Sequence, residues 1–202
     1  MIKILTSGYL AMAALLASAA PAVAADADGH FAVRGPGTEA CSRLAQATDG
    51  RKTEVLSAYA SWLMGYLSAY NRLSGDTFDM LPTLAGNDGL AVLALVCRDH
   101  PEMLVETAAA RMIQALHHTR LTRDSSVVTI KHDGRSVFVR QEAIEMLQDR
   151  LKALGFYDGK ATGKGSKAFS RAVLRFQKSE NLSPTGLPDI DTMLRAALRE
   201  ER

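Results

Sequence analysis

The chain has 202 residues with 24 Lys+Arg, 22 Asp+Glu and a formal net charge of +2. That balance excludes the dense basic stripe expected of a nucleic-acid binder. Its two cysteines, Cys41 and Cys97, make a poor zinc site, because no histidine stands at ligand spacing beside either one.

The first residues read MIKILTSGYLAMAALLASAAPAVAADADG. Lys3 supplies a positive start, Leu10 to Ala20 an apolar core, and Ala22-Val23-Ala24 a small-residue cleavage site. Together they predict a secretory signal peptide over residues 1–25. As a membrane anchor the apolar run is too short and alanine-rich to span about 30 Å of hydrocarbon. The expected location is the periplasm, with no membrane span after signal removal. The roughly 175 residues beyond it fit one or two small domains. An exported chain with a single cysteine pair is expected to close it as a disulfide.

Asp26 to Gly37 is polar and glycine-rich, and reads as a loose leader. A first domain follows over residues 38–116. Thr38 is placed to cap a short helix from Glu39 to Ala47 that carries Cys41. Glu54 to Asn71 reads as a longer helix, with Val55, Tyr59, Trp62, Leu63, Tyr66, Leu67 and Tyr70 at three- and four-residue steps. Gly65 in its middle is expected to permit close packing. After a loop from Leu73 to Asn87 comes an apolar helix from Gly89 to Cys97. Pro101 then sits at the first position of a helix continuing to Leu116.

Cys41, Trp62, Gly65-Tyr66, Asn71, Leu93, Cys97, Pro101, Leu104 and Ala108 carry a resemblance to the Hde-type (HdeA/HdeB-like) family of small periplasmic proteins, whose founding members are acid-stress chaperones. The aromatic usual before the second cysteine is here Val96. The resemblance implies a disulfide-clamped helical fold. It also implies a client or partner surface drawn from Tyr59, Trp62 and Tyr66, exposed on partial unfolding.

Residues 117–139 form the connection. Val127 to Ile130 and Ser136 to Val139 are β-prone, and Asp133-Gly134 is a tight-turn signal between them. They predict a small hairpin packed on a helical unit. The alternative is a flexible linker in which Gly134 is only a bend.

In residues 140–202 a short amphipathic helix ends at a Gly-aromatic turn. A glycine-studded loop, a second helix ending near Phe176-Gln177, a Thr-Gly turn and a third helix follow. Leu147-Gln148, Leu151, Leu154-Gly155-Phe156-Tyr157, Gly159, Gly163, Ala172-Val173, Phe176-Gln177, Leu182, Thr185-Gly186, Asp189 and Thr192 resemble the three-helix peptidoglycan-binding domain of many envelope proteins. The resemblance implies peptidoglycan, glycan or stem peptide, as partner, with Tyr157, Asp158, Gly159, Gly163 and Gln177 as candidate contacts. From the residues alone, Phe156 and Phe176 read as core, and Gln177 as a tie between loop and helix or a ligand contact. The chain departs from the family at Thr162, Ser166 and Phe169. Ser166 is placed to cap the second helix, and Phe169 to fill part of a binding groove.

Charge differs between the two units. Residues 26–116 hold seven Lys/Arg against eleven Asp/Glu, and residues 140–202 twelve against nine. The second unit is the better match for an anionic wall polymer. Asp189 and Asp191 stand at a helix start, where acids suit the dipole. No hydrolase signature and no metal-ligand constellation of His100, His117, His118 and His132 is present in the sequence.

The expected molecule is mainly α, a disulfide-closed helical domain and a three-helix peptidoglycan-binding-like domain with a β-hairpin between them. It is expected to be non-enzymatic and cofactor-free. It would present the first domain at the wall as chaperone or docking module, for unfolded or specific envelope proteins. Alternatively it is an accessory subunit of a wall-remodelling enzyme or secretion apparatus. The export reading predicts a mature chain starting at Ala25 or Asp26, checked by intact mass of the exported protein; a full-length cytoplasmic product would overturn it.

Overall fold

Cys41 and Cys97 are joined, with their Cα atoms 4.7 Å apart, inside the range a disulfide requires. The bridge ties the first residue of helix α1 (Cys41–Asp49) to helix α3 (Asp88–Asp99). Helix α2 (Thr53–Leu73) lies against both and buries Tyr59, Leu63 and Leu67, residues at four-residue steps that share one face. Helix α4 (Val105–Leu116) completes the bundle with Ala108, Ala109, Met112 and Ile113. On the chain-entropy view, closing this loop restricts the unfolded chain by about 4 kcal/mol.

The computed structural model describes Asp26, residues 28–83 and residues 88–199. The expected signal peptide and its cleavage site lie outside the described residues. So do Leu84 to Asn87 of the predicted loop and Glu200 to Arg202 of the predicted second domain.

Two helix starts differ from expectation for one reason. Thr38 does not cap α1; its hydroxyl closes a 3-10 turn (Gly35–Thr38) on the carbonyl of Gly35. The free N–H groups at the start of α1 are instead taken by carbonyls of the segment before α4. Cys41 donates to Met103 at 2.7 Å and Ser42 to Pro101 at 2.9 Å, while Val105 donates back to Glu39 at 2.9 Å. That exchange holds residues 101–104 out of helical geometry, so α4 begins at Val105 and Pro101 is not its first residue. Gly65 is a second correction: nothing stands within 4 Å of where its Cβ would be. The close approach is at Gly37, where a Cβ would lie 2.3 Å from the Trp62 ring.

The connection is an ordered hairpin. Strand β1 (Val127–His132) pairs antiparallel with β2 (Arg135–Arg140) across a two-residue turn. Asp133 and Gly134 both have positive φ, +45° and +73°, as a twisted two-residue hairpin requires. Ile130 and Val139 face inward and are buried; Thr129, Ser136 and Phe138 face outward. Helices α5 (Gln141–Ala153), α6 (Lys167–Ser179) and α7 (Ile190–Leu198) follow.

From Val33 onward the described residues belong to one compact unit, which contains two hydrophobic clusters. The second includes Leu121, Ile130 and Val139 alongside Ile144, Leu151, Phe169 and Phe176. Ile190 and Leu194 of α7 pack on the first. Among the described residues no helix is long and apolar enough to cross a membrane.

Glu142 straps the connection to α5. Its carboxylate accepts from the N–H and hydroxyl of Thr122, at 3.1 and 2.8 Å, and from the N–H of Arg123 at 3.1 Å. Burial alone would raise its pKa. The bonds from Thr122 and Arg123 and the Arg123 charge outweigh burial and hold it below the ordinary glutamate value. A depressed carboxyl pKa contributes stability above the unfolded-state value, lost as pH falls through the folded one. Glu142→Gln is expected to destabilise the chain near neutral pH and flatten the acid limb of its stability curve, measured by denaturant unfolding at several pH values. A fragment beginning at residue 140 lacks Leu121, Ile130 and Val139, and is expected to melt well below one beginning at residue 120. Native thiol labelling should leave both cysteines unmodified, and Cys97→Ser should lower unfolding free energy by about 2–5 kcal/mol.

Candidate functional site

The glycine-rich loop between α5 and α6 begins at a left-handed cap. Gly155, at φ +78°, donates to the Lys152 carbonyl, and Phe156 donates to that of Leu151 at 2.7 Å. This double bond terminates α5 and turns the chain sharply. Asn181, at φ +56°, ends α6 in the same way, with Leu182 donating to Gln177.

Two buried glutamines set the loops. Gln148 has no exposed surface. Its side-chain oxygen accepts from the N–H groups of Thr162 and Gly163, at 2.7 and 3.0 Å, and its NH2 donates to the Lys164 carbonyl at 2.8 Å. Gln177, equally buried, accepts from the Gly186 N–H at 2.8 Å. Its NH2 lies within bonding distance of the Thr185 and Thr192 hydroxyls and the Leu187 carbonyl. Gln177 therefore shapes the Thr185-Gly186 turn and exposes no surface in the folded chain. Of the two readings of Gln177, these bonds make the tie between loop and helix.

Tyr157 also turns inward. It is 7% exposed, and its ring meets Phe169 edge-on with centroids 5.9 Å apart. Gly159 is glycine because a Cβ would lie 2.3 Å from the Tyr157 hydroxyl. Gly163, at φ +66°, presses on Gln141 of α5, with a Cβ position 2.2 Å from that side chain. Phe169 is fully buried, so it fills core rather than a groove, and Ser166 caps α6 by accepting from the Phe169 N–H at 3.0 Å.

Of the candidate contacts, Tyr157, Asp158, Gly159 and Gly163 share one loop, and only Asp158 presents an exposed side chain. Lys160, Lys164, Lys167 and Arg171 on the same loop and the start of α6 are exposed as well. The loop offers a solvent-facing basic rim around a rigid backbone, suited to carboxylate groups.

The hairpin covers the inner loop. A Cβ on Gly165 would meet Ile130 at 2.9 Å, and one on Gly186 would meet His132 at 2.4 Å. The sequence marks Ile130 as strand but not what it or His132 meets, since Gly165 and Gly186 lie more than thirty residues away. A cleft of about 370 Å³ is lined by Pro82, Ala143, Met146, Leu147, Met193 and Ala196. Beside it, Arg150 bonds the Ala196 and Arg199 carbonyls and His118 reaches Ala197, so the cleft's polar groups are engaged with the end of α7.

Tyr59 is buried with its hydroxyl on Glu39, and Tyr66, stacked on Trp62 at 5.2 Å, donates to Glu106 at 2.9 Å. Burial first, then the acceptor carboxylates, push both phenol pKa values well above the ordinary range. In the folded chain Tyr59 gives no surface to a partner; Trp62 and Tyr66 are half-buried.

Residues 140–195 match the family described as "Putative peptidoglycan binding domain". No curated protein and no solved structure matches the chain. The chain thus carries a peptidoglycan-binding-type domain over α5, α6 and most of α7. Gln148→Leu removes the acceptor of two loop N–H groups and is expected to cost about 1–3 kcal/mol, with amide exchange at Thr162 and Gly163 accelerating most. Uniform destabilisation without local loosening would contradict that role.

Proposed function

We propose that this protein is exported to the periplasm and binds peptidoglycan non-covalently through its α5–α7 domain, holding the disulfide-closed bundle at the wall. It does so as a binding protein, not an enzyme. The observation that carries the reading is the family match over residues 140–195. The exposed Lys160, Lys164, Lys167 and Arg171 support it, because stem peptides are rich in carboxylates. Tethering raises the local concentration of the bundle at the wall, the benefit expected of linked modules.

The bundle is an Hde-like chaperone or docking module. The excess of acidic over basic residues in 26–116 supports an acid response: protonated carboxylates leave the segment strongly positive, and self-repulsion favours opening. The Cys41–Cys97 bridge limits the expansion. Opening would uncover Tyr59, Leu63 and the Trp62–Tyr66 stack as an apolar surface.

Sedimentation with purified sacculi tests the wall reading. The full mature chain is expected to co-sediment, with binding falling as salt rises, and a chain ending at residue 116 is expected to stay in solution. A full chain that stays soluble would replace this reading with the accessory-subunit one. For the bundle, Trp62 emission is expected to shift to longer wavelength on acidification, in the same pH range in which the protein suppresses aggregation of an acid-denatured client. Protection without that shift would leave docking as its role.

A further inference from the structure

The disulfide-closed bundle carries a cleft of its own, outside the residues that match the peptidoglycan-binding family. It opens between α2 and α4, encloses about 520 Å³, and is lined by Tyr66, Tyr70, Ala110, Ile113, Gln114 and His117. That volume is typical of a small-ligand site. Helix geometry builds the lining. Tyr66 and Tyr70 stand one turn apart on α2. Ala110, Gln114 and His117 follow at four- and three-residue steps along α4 and the 3-10 turn His117–Thr119 after it. Both tyrosines are half-buried. Tyr66 is held in place by the Trp62 ring stacked at 5.2 Å and by its bond to Glu106 at 2.9 Å.

The chemistry of the lining is narrow. None of the six residues is a lysine, arginine, aspartate or glutamate. Arg120, which reaches His117, is already paired with Asp76. Among the described residues the Tyr70 hydroxyl, the Gln114 amide and Nε2 of His117 have no protein partner. Arg120 donates to Nδ1 of His117 at 3.4 Å, which places the proton of the neutral ring on Nε2. The cleft thus offers a hydroxyl that donates or accepts, an amide that does both, and a ring N–H that donates. They stand beside two tyrosine rings and the apolar Ala110 and Ile113.

We propose that this cleft binds an uncharged sugar ring bearing an acetamido group, the chemistry of an N-acetylated glycan. A pyranose ring has apolar C–H faces that pack flat on aromatic rings, and hydroxyls around its edge that need donors and acceptors together. The acetamido group matches the Gln114 amide through its N–H and C=O, and Ala110 through its methyl. A charged ligand finds no counter-charge among the lining residues. A purely apolar one takes water from three polar groups without replacing its bonds, which costs free energy. The site lies in the bundle and goes beyond the wall-binding reading of α5–α7. In a chain tethered at the wall it supplies a second, linked contact with the glycan.

The test is titration of the full mature chain with chitotetraose, a soluble N-acetylglucosamine oligomer with no stem peptide and no charge, followed by amide shifts. Shifts are expected in residues 66–70 and 110–117. Cellotetraose, which lacks the acetamido groups, is expected to bind about fivefold more weakly. Tyr70→Ala should weaken chitotetraose binding about tenfold. Gln114→Ala, at an exposed position that keeps the test valid if Tyr70→Ala fails to fold, should weaken it about fivefold. No shifts, shifts confined to other segments, equal binding of the two oligomers, an equal response to hexanol, or binding indifferent to Gln114→Ala would overturn the proposal. A chain that sediments with sacculi but ignores chitotetraose keeps the wall reading and loses the cleft. A chain that binds chitotetraose but leaves sacculi in the pellet without it keeps the cleft and loses the wall reading.

Discussion

Leu121 holds the two halves of the molecule together. Its backbone exchanges hydrogen bonds with Asp79 and accepts from Phe78, both in the loop leaving α2. Its side chain is fully buried in the cluster of the peptidoglycan-binding-type helices. That loop is itself pinned from α2, where the Asn71 side chain accepts from the Met80 N–H and reaches Asp79. One short bridge thus links α2, through Asn71, Asp79 and Leu121, to the core around Ile144 and Phe169. Breaking it would expose apolar surface on both sides.

From this junction the connecting segment acquires its role. Glu142 draws residues 122 and 123 onto α5, and Arg140 pairs with Asp124 at 2.7 Å and lies over the Phe78 ring. A second bridge, between Thr83 and Val139, attaches the edge of β2 to the same loop. The hairpin is short, and alone it would be marginal. Held through these contacts, it becomes a wall of the core, with Ile130 and Val139 buried in it.

Rigidity in the wall-binding-type loop comes from amides rather than ligands. Gln148 and Gln177 sit at corresponding places near the middle or end of α5 and α6, and each satisfies the N–H groups of a glycine-containing turn. A buried amide left unpaired is costly, so these loops have little freedom to rearrange. What they present outward is accordingly fixed: Asp158 and the rim of lysines, with Tyr157 and Phe169 filling the space beneath.

Much was legible from the sequence because it depends on local chemistry. Periodic apolar residues mark α2, α5 and α6; Asp133-Gly134 fixes the hairpin turn through its left-handed backbone; Gly155 ends α5; and a lone cysteine pair, in a chain read as exported, implies the bridge. The tertiary structure decided what each exposed-looking residue faces. Tyr157, Phe169 and Gln177 sit in sequence positions that suit either ligand or core, and only the packing of α5 against α6 turns them inward. Pro101 looked like a helix start until α1, sixty residues earlier, took the nearby carbonyls. The approach of Gly186 to His132 joins residues more than fifty positions apart, and no one-dimensional pattern records distance in space.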